Sequence, residues 1–105
     1  MPRVYHVRIT KEASSHLDEI FTFIASQSPQ NAEQVCERLL SEIFSLKMFP
    51  HRYKVHRRGK KQNGETVRSM PVPPYVVYYK IVESRRVVRI HSVLHGHRRR
   101  PRGFK

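Results

Sequence analysis

The sequence predicts an α+β fold: an N-terminal strand, a two-helix antiparallel hairpin, then a three- to four-stranded, mainly antiparallel sheet. Three observations carry this. A short alternating segment opens the chain, two stretches with apolar residues at helical spacing follow, and the second half is rich in β-branched and aromatic residues divided by turn signals. With 105 residues, the chain is expected to be one domain over 1–105, ending in a basic tail at about 95–105.

Tyr5, Val7 and Ile9 alternate with His6 and Arg8, which suits a half-buried strand over Arg3–Ile9. Thr10 can cap the helix that follows, with Glu12 in its first turn. Ala13, Leu17, Ile20, Phe21 and Ile24 form one stripe of that helix. Ser28-Pro29 ends it and starts the next, serine as cap and proline at the first helical position. Ala32, Val35, Cys36, Leu39, Leu40 and Ile43 form the second stripe, and Phe49-Pro50 closes the helix.

Tyr53–Arg57 and Glu65–Met70 read as strands around a loop holding the turn signal Asn63-Gly64. Pro71, Pro73 and Pro74 are expected to break the run. Tyr75–Val82, apolar almost throughout, suits a central strand covered on both faces. Glu83–Arg85 is a short turn. Arg86–Leu94 is the last strand, with Val88, Ile90 and Leu94 expected to alternate with Arg89, His91 and Val93.

Charge is lopsided. The formal net charge is +13; residues 1–50 hold five basic and six acidic residues, whereas residues 51–105 hold sixteen basic and two acidic ones. A one-sided field of this kind points to nucleic acid or an acidic protein partner, against the plainer reading of a solvated surface. Apolar runs are too short for a membrane span, and no secretory signal is expected at the N-terminus. The single cysteine, Cys36, cannot form an internal disulfide, and a cytoplasmic location is expected.

The order and spacing of several short signatures resemble the RelE/ParE superfamily of bacterial toxins, and the ParE branch in particular. They are Ile9-Thr10 followed by Ala13, Leu17, Ile20 and Ile24; Ser28-Pro29 with Ala32; Leu46 to Phe49-Pro50; Val67-Arg68; Pro74-Tyr75 leading into Val77-Tyr78-Tyr79; and Val93-Leu94-His95-Gly96-His97-Arg98. The resemblance implies the toxin of a type II toxin–antitoxin pair, neutralised by a cognate acidic antitoxin in a hetero-oligomer. ParE-like members poison DNA gyrase; RelE-like members cut messenger RNA on the ribosome. A third reading drops toxicity and leaves a basic nucleic-acid-binding module.

Metal-free RNA cleavage needs a proton acceptor, cations at phosphorus and an acid for the leaving oxygen. Arg68, His91 and Arg98 are the candidates for those roles, with His95 and Tyr78 as other proton carriers. The sequence departs from the RelE pattern: Val76, not arginine, follows Tyr75, and Phe104 lacks the hydroxyl a tyrosine would bring there. Arg68 either points from the open sheet face toward a phosphate or an antitoxin, or pairs with Glu65 or Glu83. Arg57, Arg58, Lys60 and Lys61 on a loop, together with Arg89, His95, His97, Arg99, Arg100 and Arg102, are candidates for binding a target or nucleic acid; the alternative is a hydrated loop and tail. Tyr75, Tyr78 and Tyr79 could stack on bases or simply pack. The histidines show no zinc-like spacing, the neighbours of Cys36 would raise its pKa, and no metal or cofactor is expected.

Overall fold

A computed structural model describes residues 4–55 and 66–96. Strand β1 (His6–Ile9) leads into helices α1 (Lys11–Ala25) and α2 (Pro29–Ser45); a 3-10 turn at Pro50–Arg52 follows, then strands β2 (Val67–Val72), β3 (Tyr75–Val82) and β4 (Val87–His95). The strands form one mixed sheet in the order β1-β4-β3-β2. The β2–β3 and β3–β4 pairs are antiparallel, while β1 runs parallel to β4 with Arg8 opposite Arg89 and Ile9 opposite Ile90. Parallel neighbours cannot be joined by a tight turn, so the helical hairpin lies within the connection that carries the chain away from β1.

Local chemistry sets the helix ends. The Thr10 hydroxyl accepts from the Ala13 amide at 3.1 Å and donates to the Ile90 carbonyl at 2.9 Å, so one residue caps α1 and pins it to β4. Ser28 accepts from the Asn31 amide, and Pro29 fills the first position of α2, where no amide is needed. The Arg38 guanidinium donates to the Pro73 carbonyl, tying α2 to the β2–β3 turn.

One core lies between the helices and the sheet. Leu39, Ile43 and Leu46 meet Met70, Val72, Val77, Tyr79, Val88 and Ile90, with Leu17, Ile20 and Val35 at its margin. Phe21 and Leu40, expected on the buried stripes, are exposed, as are Phe23 and Phe44. β3 is covered on both sides: Val77 and Tyr79 face the helices, and Tyr78 on the other face is also buried.

Three strand expectations change. Of the pair expected around Asn63-Gly64, the described residues show an antiparallel bridge between Val55 and Arg68; residues 56–65, with the turn, lie outside them. β2 runs through Pro71 to Val72, which an edge strand permits because its outer side does not require the missing amide. In β4 the pairing moves from Tyr79–Ile90 to Tyr78–Ser92, leaving His91 as an extra residue. This bulge shifts the alternation, so Val93 joins the core and Leu94 takes the opposite face.

Two polar contacts hold the loops. The buried Tyr79 hydroxyl donates to the Pro50 carbonyl at 2.6 Å. Its pKa is pushed up to about 12, chiefly by burial; Arg68 and Arg52 oppose the rise and Tyr53 adds to it. At the other end, the Glu83 carboxylate accepts from the Tyr5 hydroxyl at 2.9 Å and pairs with His51. Burial alone would raise the Glu83 pKa, but the hydrogen bonds from His51 and Tyr5 and the nearby charges of His51 and Arg68 hold it below the ordinary value.

Tyr79→Phe leaves the buried Pro50 carbonyl without its donor and is expected to destabilise the fold by about 1–3 kcal/mol, read by denaturant unfolding. Because the folded-state pKa of Glu83 is depressed, its contribution is present above the ordinary value of 4.5 and is lost as pH falls through the folded value. Glu83→Gln is therefore expected to flatten the acid limb of a stability-against-pH curve; an unchanged limb would show that the Tyr5–Glu83–His51 contact contributes nothing to it.

Candidate functional site

Strand residues alternate faces, so the register assigns each cation to a side of the sheet. Arg8, Arg89 and Lys80 are direct partners across β1, β4 and β3, on the face turned away from the helices. Arg8 and Arg89 are exposed and Lys80 is half-buried. None of the four strands contains an aspartate or glutamate. The acidic residues among those described sit on α1, α2 and the turn at Glu83. The sheet is thus the cationic layer and the helices the acidic one. This face is not open throughout, because Tyr78 and Ser92 on it are buried.

Arg68 lies elsewhere. It shares its face with Met70 and Val72, on the helix side, because Arg68, Met70 and Val72 oppose Tyr79, Val77 and Tyr75. Its guanidinium donates to the Tyr53 carbonyl at 2.7 Å and reaches the His51 carbonyl at 3.5 Å, clamping the segment that leaves α2. The expected position on the uncovered face gives way to this backbone clamp; the charge of Arg68 also helps lower the Glu83 pKa, and Glu65 lies outside the described residues. The parity of Arg68 with Met70 was the available signal.

His91 occupies the bulge. Burial lowers its pKa first, Lys80 and His16 lower it further, and Glu12 opposes them, so the surroundings favour the neutral imidazole. His95 belongs to β4 rather than to the tail, and its ring meets that of Tyr75 edge-on at 5.5 Å. Gly96 follows, with its amide bonded to the Pro74 carbonyl at 2.6 Å; an added Cβ would lie 3.0 Å from that oxygen, so the close approach favours glycine. Arg57, Arg58, Lys60, Lys61, His97, Arg98, Arg99, Arg100 and Arg102 lie outside the described residues.

A second feature is a cleft of about 580 Å³ between α1 and the ends of β3 and β4. His16, Glu19 and His95 supply polar groups, and Ile20, Phe23, Tyr75 and Val93 line it with apolar surface. Phe23 is 68% exposed beside it. His16 also accepts from the Val93 amide at 3.2 Å, covering the β4 edge beyond the end of β1. No local sequence pattern points to this cleft, because α1 and β4 are far apart in the chain. Cys36 is half-buried and its pKa is raised by burial and by Asp18, so it is a poor nucleophile. Among the described residues no helix is long and apolar enough to cross a membrane, and no three metal-ligating side chains come together.

Comparison with known proteins gives this geometry a family. Solved structures with the same fold include a chromosomal ParDE toxin–antitoxin system from P. aeruginosa, with a TM-score of 0.67 and 13% identity over 89% of this chain and 97% of that one. An archaeal RelE–RelB complex from Pyrococcus horikoshii OT3 has a TM-score of 0.64 and 16% identity over 91% and 99%. A RelBE toxin–antitoxin complex from Mycobacterium tuberculosis has a TM-score of 0.61 and 22% identity over 88% and 98%. No curated protein sequence matches the chain significantly. The family model described as the ParE toxin of the type II toxin–antitoxin system parDE matches residues 7–100, from β1 through β4 and beyond, and the chain therefore belongs to the ParE toxin family of the RelE/ParE superfamily.

Proposed function

We propose that this toxin inhibits growth in the cytoplasm by ParE-like interference with DNA gyrase, through binding rather than catalysis, and that an acidic antitoxin neutralises it in a hetero-oligomer. The observation that carries the reading is the ParE family match across residues 7–100. The engagement of Arg68 with the carbonyls of Tyr53 and His51 supports it further, since that guanidinium already serves the fold.

The antitoxin reading draws on the helix side. Phe21, Phe23, Leu40 and Phe44 are exposed there, and the cleft beside Phe23 joins apolar walls to His16 and His95. An amphipathic segment that folds on binding can cover this apolar surface, with His16 and His95 at the cleft as polar partners. One observation favours the RelE-like alternative: His91, whose surroundings favour the neutral imidazole, lies near the Lys80 charge, which brings a titratable group and a cation together.

Gyrase supercoiling with purified toxin separates the two. The proposal predicts inhibited supercoiling and accumulated gyrase–DNA cleavage complexes, with no ribosome-positioned messenger RNA ends after induction. Ribosome-positioned cuts with normal supercoiling would contradict it.

A further inference from the structure

We propose that His16 is an acid-sensitive latch: neutral, it closes α1 onto β4, and its protonation lets the second half of α1 swing about Thr10 and open the cleft. Two attachments of α1 to β4 carry this inference. At the start of the helix, the Thr10 hydroxyl and amide both donate to the Ile90 carbonyl, at 2.9 Å and 3.3 Å. Within two turns, the Val93 amide donates to His16 Nδ1 at 3.2 Å. No group in the first attachment titrates near neutrality, whereas the second depends on an imidazole.

A ring nitrogen that accepts carries no proton, so His16 is the neutral tautomer protonated at Nε2. An imidazolium has an N–H at both nitrogens, and its Nδ1–H would face the Val93 N–H with no acceptor between them. Val93 is only 2% exposed, so its amide is left without a partner while the ring stays in place, and a buried amide without a partner is destabilising. Moving the ring away relieves both faults. Apolar burial holds this half of the helix weakly: Ala13, ahead of His16, is the fully buried residue of α1, whereas Leu17 and Ile20 are partly buried and Phe21 and Phe23 are exposed. His16, Glu19, Ile20 and Phe23 share one helix face and form one wall of the cleft, so that wall moves as a unit.

Charges act on the ring from both sides. Glu12 and Glu19 lie about one turn away on the same helix and favour a positive imidazole. His91 and His95 on β4 and Lys80 on β3 oppose it, with the Tyr75 ring across the cleft; His91 and His16 interact electrostatically. The closed state binds no proton at Nδ1 and the open state can, so closure is complete at high pH and is lost as pH falls through the imidazole range. The latch does not depend on the gyrase reading, since it is measured in the toxin alone.

The test is hydrogen exchange in the full, isotope-labelled chain between about pH 7.5 and about pH 5, with each rate divided by the intrinsic rate at that pH. The Val93 amide is expected to lose protection on the order of tenfold as the His16 ring titrates, while the Tyr79 amide in the central strand keeps its own. His16→Asn sets an amide oxygen close to the place of Nδ1 and does not titrate, so protection at Val93 is expected to stay constant in that variant. An equal loss at Val93 in His16→Asn would overturn the proposal. So would titration of the His16 ring with no change at Val93, or a joint loss at Val93 and Tyr79, which is global acid unfolding. If His16→Asn does not fold, the comparison of Val93 with Tyr79 along the ring titration decides in the unmodified chain.

Discussion

The parallel pairing of β1 with β4 is the constraint on which the rest of this structure depends. It joins residues about eighty positions apart and fixes which side chains of the first strand enter the core. Val7 and Ile9 fall against the helices, so Arg8 must fall on the other face, next to Arg89. Thr10 stands at the end of the pair and binds both the start of α1 and the Ile90 carbonyl. Immediately beyond, the bulge at His91 resets the alternation of β4, and His16 from α1 covers the Val93 amide where β1 has ended. One pairing thus positions the helix layer, the cationic row and the mouth of the cleft.

The same arrangement separates charge by layer. Among the described residues, acidic ones lie on the helices and on the turn at Glu83, while the strands carry arginine, lysine and histidine without any carboxylate. The two sides consequently differ in what they can recognise. The helix side combines exposed phenylalanines with a cleft; the other side of the sheet combines Arg8, Lys80 and Arg89 with a pocket lined by Ser69, Pro71, Val76 and Tyr78. A toxin with two such surfaces can meet its antitoxin and its target through different chemistry.

Much of the fold was legible in local sequence. Thr10 and Ser28-Pro29 mark helix starts because caps act within one turn, and the continuous apolar run of Tyr75–Val82 marks a central strand because both its faces are covered. The parallel β1–β4 register was not legible, since no local pattern encodes a pairing across the whole chain. Arg8 and Lys80 therefore escaped notice as site residues: each looks like an ordinary exposed strand cation until its neighbour is known. The exposed Phe21 and Leu40 show the limit of a helical stripe, which is wider on paper than the surface the sheet can cover. Pro71 looks like a strand breaker in local sequence, which does not say which strand lies at the sheet edge.

A double-mutant cycle between Arg8 and Arg89 tests the central pairing most directly. If the two guanidinium groups are cross-strand neighbours, Arg8→Gln and Arg89→Gln each relieve the same repulsion, and the double variant gains less stability than the two single variants together. The expected coupling is about 0.2–1 kcal/mol in low salt, shrinking as salt screens the charges. Strict additivity at every salt concentration would contradict the register, and with it the placement of the cationic row.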